Sequence, residues 1–294
     1  MNNFNSRIKK ISNFMFFVIP ALIPFFAVVI VPFIYGIYLT FTDWDGISAT
    51  HKFIGIRNYV SIFKDPDFIS KVYITIKYVV FTVLLSNIMG FFLAYILTSG
   101  IKYQNILRAG FFTPNLIGGI ILGYIWKFIF ADVLTKVGQA LNIDWLSTSI
   151  LTDENRAIWG LIVVSVWQYS GYLMLIYIAG FMSVPSDLLE ASEIDGATGF
   201  KKVWYVTIPL MIPAFVICLF ISISRSFMTY DLNLSLTKGE PYGATQLIAM
   251  HIYQKAFSSQ EYGTGQAEAI VLFFIVAIAT GIQVYFTKKM EVEA

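Results

Sequence analysis

Cysteine is nearly absent from this chain: Cys218 is the only one in 294 residues, so no disulfide can form within it and no redox compartment can be read from thiols. Set in an apolar run, Cys218 reads as a small core filler. Histidine is almost as scarce. His51 and His251, both expected in outward loops, offer no metal-ligand cluster and no nucleophile–base arrangement, which counts against a membrane enzyme. Charged residues are only 13% of the chain, and the basic ones are scattered rather than clustered with aromatics, so nucleic acid is not an expected partner. No G-x-x-x-x-G-K-S/T run occurs, so no nucleotide-phosphate cradle is expected.

What is present is apolar. A chain that is 57% hydrophobic and 17% aromatic, with a mean hydropathy of +0.71, belongs with all-α membrane proteins that cross the bilayer several times. A span needs about 20 apolar residues, and six segments qualify, at roughly 14–41, 72–98, 105–131, 157–181, 208–230 and 267–287. The first follows Arg7, Lys9 and Lys10 but is too long for a signal peptide and has no small-x-small cleavage site, so it is expected to be retained. Prolines interrupt the first, third and fifth segments (Pro20, Pro24, Pro32; Pro114; Pro209, Pro213) and predict kinked, closely packed helices. Gly119 and Gly123 add a G-x-x-x-G spacing that permits close helix approach.

Orientation follows from Lys and Arg near the span ends. Nine (Arg7, Lys9, Lys10, Lys102, Arg108, Lys201, Lys202, Lys288, Lys289) lie in about 55 connecting residues on one side, against eight (Lys52, Arg57, Lys64, Lys71, Lys136, Arg156, Lys238, Lys255) in about 95 on the other. Both termini are therefore expected in the cytoplasm of a bacterial cell (inner or plasma) membrane. The expected organisation is a cytoplasmic segment 1–13, a six-helix domain 14–287 and a cytoplasmic tail 288–294. Within that domain, a cytoplasmic loop at 182–207 joins the fourth and fifth spans.

That loop changes character. Residues 190–200, EASEIDGATGF, carry Glu190, Glu193 and Asp195, with Asp187 just before them, between two long apolar stretches. The surrounding pattern reads as two short surface helices, the first N-capped by Ser186 and carrying an apolar side of Leu188, Leu189, Ala191 and Ile194. Gly196 and Gly199 supply the turn. A plain amphipathic connector with solvated charges is the alternative.

Two polar stripes occur inside the spans, where polarity is costly and marks pathways or partners. Ser222, Arg225, Ser226 and Thr229 fall at i, i+3, i+4 and i+7, as do Ser165, Gln168, Tyr169 and Tyr172. Tyrosine joins a ring that packs on apolar faces to a hydroxyl that exchanges hydrogen bonds, which suits a polar path. It also suits an interfacial aromatic belt. Arg225 either faces a wet path or snorkels outward, since about 24 Å of straight helix separates it from Pro209.

The loop resembles the signature of binding-protein-dependent import permeases of the ATP-binding-cassette class. It offers Glu190-Ala191-Ser192, then Gly196, then Val206-Thr207-Ile208-Pro209, with Ser192, Val206 and Ile208 as mild departures. The runs LTKGEPYGATQLIAMHIYQKAF and GTGQAEAIVLFF are similar to the last outward loop and final span of the same family. The chain looks most like the first permease of maltose-type and multiple-sugar importers. The resemblance implies a type I importer fold in which Glu190, Ala191, Ser192, Glu193, Asp195 and Gly196 dock into a cytoplasmic ATPase. It implies sugar contact at Asn115, Ser165, Tyr169, Tyr172, Ser222, Arg225, Ser226 and Thr229. The implied partners are a second homologous permease, two ATPase subunits that hold the ATP and Mg this chain does not, an extracytoplasmic sugar-binding protein, an oligosaccharide substrate and the lipid bilayer. An ion-coupled secondary transporter is the alternative, but it needs a buried carboxylate at a span centre, and the sequence offers none there.

Overall fold

The computed structural model describes residues 2–48 and 50–290, with side chains from residue 14 onward. Of the expected cytoplasmic segments, Met1, the side chains of residues 2–13 and tail residues 291–294 therefore lie outside the described residues. Among the described residues the chain is helical throughout, without a strand beyond one isolated antiparallel bridge between Thr42 and Phe53.

Among the described residues, four helices are long and apolar enough to cross a membrane: Phe14–Leu39, Pro66–Thr98, Glu154–Ser183 and Tyr262–Lys288. Two bent pairs bring the number of candidate spans to six. Gln104–Leu116 turns 99° into Gly119–Ala140, and Phe200–Leu210 turns 74° into Ile212–Phe227. The expected third and fifth spans are thus broken rather than kinked. In the third, the helix runs past Pro114 and stops where Ile117 and Gly118 adopt extended backbone. In the fifth, Pro213 has no N–H to return to residue 209, and the chain breaks at Met211 between the two prolines. The first helix absorbs its prolines differently, through a π turn at Phe26–Ile30 just ahead of Pro32.

By contact the chain divides into two units, Met1–Asp65 with Ile252–Val271, and Pro66–His251 with Leu272–Ala294. In the first unit the buried Asn58 amide donates to Thr40 O (2.8 Å) and Thr42 O (2.9 Å), tying down the chain that leaves the first helix. Beyond it, Asp45 accepts hydrogen bonds from the Ser48 hydroxyl and the Ser48 and Ile47 N–H groups, which hold its carboxyl down at about 2. The most apolar stretch of the Phe14–Leu39 helix buries no residue within the chain. The last helix begins at Tyr262, ahead of the expected 267, so the fully buried Glu268 sits inside its second turn and not at the span centre.

In the second unit the Glu154–Ser183 helix is central. One apolar core gathers Tyr78, Leu161, Ile162, Phe227 and Leu236; the other gathers Leu97, Met174, Tyr177 and Cys218. Cys218 is fully buried, as a core filler should be. His251, expected in a loop, instead lies in the helix Ile248–Tyr253, buried, with Nδ1 3.6 Å from Asp67. The G-x-x-x-G spacing does serve close approach: a Cβ on Gly119 would stand 2.9 Å from Asp231 Cβ, and one on Gly123 would meet the Leu236 backbone at 3.0 Å.

Candidate functional site

Two regions hold the predicted residues, both within the second unit. The first is the loop after the Glu154–Ser183 helix. Val184 and Pro185 are extended, and helix Ser186–Ile194 starts directly after them. Ser186 is therefore the first helical residue and not the cap; its hydroxyl lies 3.3 Å from the Asp187 carboxylate. The helix ends in a left-handed glycine cap: Gly196 (φ +82°) donates to Glu193 O, and Ala197 N–H reaches back to Ser192 O at 2.8 Å. Nothing lies within 4 Å of a Cβ placed on Gly196, so it is the backbone conformation, not space, that requires glycine.

The loop helix rotates its faces differently from the pattern reading. Leu189 and Ser192 turn inward, whereas Leu188, Ala191 and Ile194 are exposed, together with Glu190, Asp195 and Gly196. The buried Ser192 hydroxyl donates to Leu189 O (2.7 Å), and Glu193 pairs with Lys202 at 2.6 Å, closing the two arms of the loop. The expected second surface helix is instead the opening arm of the bent pair, Phe200–Leu210. Behind the loop, a cavity of about 400 Å³ is lined by Leu189, Glu193 and Lys202 together with Tyr95, Thr98 and Ser99 from the end of the Pro66–Thr98 helix.

The second region is a cavity of about 540 Å³ whose lining includes Asn115, Gln168, Tyr169, Arg225 and Thr229. The break after Pro114 brings Asn115 to the end of the Ile212–Phe227 helix, where Asn115 Oδ1 accepts from Arg225 Nη1 at 2.8 Å. The guanidinium lies 4.8 Å from the centre of the Tyr172 ring and 6.0 Å from that of Tyr169, within cation–π range. Gln168 donates to Ile117 O (3.1 Å), fixing the turn between the two halves of the third span. With a bend at Met211, the path from Pro209 to Arg225 is no longer one straight helix, which corrects the length on which outward snorkelling was weighed. The helix also ends at Phe227. Thr229 therefore lies beyond it, yet its hydroxyl still donates to Arg225 O (3.1 Å).

Ser165, Ser222 and Ser226, placed on the same stripes, do not line this cavity; they are buried in helix packing. Ser165 Oγ is 2.6 Å from the hydroxyl of the fully buried Tyr78, which also lies 3.3 Å from Thr229 Oγ1, itself 3.2 Å from Tyr169 OH. Ser222 accepts from Asn87 Nδ2 (3.0 Å), while Asn87 Oδ1 accepts from Tyr177 OH (2.7 Å). Ser226 Oγ has no hydrogen-bond partner among the described residues. Tyr78 and Asn87 were missed in the sequence, although Thr75, Tyr78, Thr82 and Ser86 repeat at helical spacing along the second span and signal a polar seam. Ser224 and Asp231 were also missed, and both line the cavity.

A larger cavity, about 740 Å³, lies among Val83, Phe91, Phe215, Leu219 and their neighbours. Its lining is almost wholly apolar and offers little to a polyol.

Residues 86–292 match the family model described as "Binding-protein-dependent transport system inner membrane component". The chain belongs to this family. Among its relatives, a probable starch degradation products transport system permease protein of Thermoanaerobacterium thermosulfurigenes is 46% identical over 277 residues, 94% of each chain. The multiple sugar-binding transport system permease protein of Streptococcus mutans is 31% identical over 89% of this chain and 90% of its own. Among solved structures, a bacterial ABC transporter involved in import of the acidic polysaccharide alginate superposes with a TM-score of 0.81 over 97% of this chain and 98% of that one, at 18% identity. That likeness fixes the fold as a type I importer permease. Membership in this transport family leaves the ion-coupled secondary transporter without support. In such systems ATP is hydrolysed by separate subunits, consistent with the missing phosphate-binding run.

Proposed function

We propose that this permease is one membrane half of an ATP-driven oligosaccharide importer whose substrates are of the starch-fragment class. The substrate class rests on similarity to the starch-product and multiple-sugar permeases. The cavity around Arg225 carries the site: three tyrosine and threonine hydroxyls or rings, two amides and a guanidinium converge there from the third, fourth and fifth spans. Such a wall gives a polyol both donors and acceptors beside aromatic faces. An outer binding protein delivers the sugar, a second homologous permease completes the path, and both termini lie in the cytoplasm.

The Ser186–Ile194 helix is the part that reaches one of the complex's two cytoplasmic ATPase subunits, where ATP and Mg are bound. Exposed Glu190, Ala191 and Asp195 supply its outer surface, and the Glu193–Lys202 pair with the Gly196 cap keeps its angle. The deciding experiment is ATP-dependent uptake by the reconstituted complex across a panel of neutral mono- and oligosaccharides, with maltotriose-sized glucans expected to lead. Uptake that is independent of ATP, or absent for every sugar, sinks the reading. Gly196→Val should lower uptake at least about tenfold with normal assembly, because a β-branched residue is strained at φ +82°; unchanged uptake removes the loop from the coupling path.

A further inference from the structure

Asp231 opens the short helix Asp231–Leu236 on the far side of the break that follows Arg225, and the two side chains line the same cavity. Both are exposed, and among the described residues neither takes part in an ion pair. Their situations differ. The guanidinium is engaged: Asn115 takes one of its amino groups and the rings of Tyr172 and Tyr169 flank it. Among the described residues the Asp231 carboxylate accepts no side-chain hydrogen bond, although its backbone is held. Asp231 O accepts from Ser235 Oγ at 2.8 Å, and Asp231 Cβ is the nearest neighbour of the space beside Gly119.

We propose that Asp231 is a specificity-determining residue of the Arg225 cavity, accepting substrate hydroxyls and favouring uncharged polyhydroxyl chains over uronate-bearing ones. This rests on the reading of that cavity as the sugar site. A carboxylate presents two acceptor oxygens to vicinal hydroxyls, and hydrogen bonds to a charged acceptor are the stronger kind. A neutral sugar leaves the Arg225 and Asp231 charges balanced. An anionic sugar brings a like charge toward the unengaged carboxylate, and such juxtaposition is the usual means of rejecting a wrong ligand.

The test is equilibrium binding of labelled sugar to the complete transporter in nanodiscs. The probes are maltotriose and a trisaccharide of the same linkage oxidised to uronate at its C6 positions. Wild type is expected to bind the neutral probe at least about tenfold more tightly. Asp231→Asn, which keeps the shape, should weaken the neutral probe and shrink the gap to within about threefold, and Asp231→Glu should restore it. A gap that survives Asp231→Asn unchanged, or no preference in wild type, overturns the proposal. Arg225→Met separates this failure from that of the underlying reading: if it leaves both probes unaffected, the cavity is not the sugar site and both ideas fall. If it weakens binding while Asp231→Asn does nothing, only the role of Asp231 falls.

Discussion

The two sides of the Ile212–Phe227 helix carry similar polar residues into different surroundings. Arg225 opens on a cavity, whereas Ser222 and Ser226 are sealed between helices. At 3.6 residues per turn, steps of three and four point roughly 60° to one side and 40° to the other of the starting residue. Arg225 and Ser226 are therefore about 100° apart, wide enough for one to face a path while its neighbour faces a packing seam. A polar stripe thus identifies a helix that matters, and only the packing divides it into wall and bolt.

This contrast can be broken most readily at Arg225. Replacement by Met keeps the length and removes every donor, so ATP-dependent uptake, normalised to assembled complex, should fall at least about tenfold, in line with the loss of a charged hydrogen bond. Full activity would mean that the cavity wall is as inert as the seam. A smaller and different effect is expected from Tyr78→Phe. It removes a hydroxyl that contacts Ser165 and Thr229, so thermal stability in detergent should drop by about 0.6 kcal/mol per lost interhelical bond. The ranking of sugars in an uptake panel should stay as it was; a changed ranking would show the network shaping the path. Least of all should follow from Ser226→Ala, because the serine oxygen is buried without a partner and losing it removes a desolvated group. Stability equal to or slightly above wild type is the expected outcome of a melting measurement, and a clear loss would mean that Ser226 holds a partner in the assembled transporter.

How much of this was legible beforehand differs by feature. Six apolar segments suffice to place helices, because span length is set by the bilayer. The loop was legible as a polar segment because Glu190, Glu193, Asp195 and Gly196 stand between two long apolar stretches. The breaks were not, since Pro114, Pro209 and Pro213 announce a lost hydrogen bond without stating whether the chain kinks or turns sharply. The Met211 bend in turn shifted the fifth span's start to Phe200 and removed the expected second surface helix. Asp231 was hidden for a related reason: its place in the cavity depends on the chain leaving helical geometry at Met228, which no periodicity reports. Tyr78 was hidden among apolar neighbours, although its spacing to Thr75 and Thr82 was there to read.

The contact between Gly119 and Asp231 has a mechanical consequence. With no room for even a methyl group between them, the half-span beginning at Gly119 and the short helix beginning at Asp231 are packed backbone against backbone. Asp231 is thereby fixed against the second half of the third span, whereas Arg225 belongs to the helix ending at Phe227. The residues between them, Met228, Thr229 and Tyr230, are the non-helical link, and the buried Thr229 hydroxyl pins that link to Arg225 O and to the Tyr78 and Tyr169 hydroxyls, so the distance between cation and anion is held from both ends.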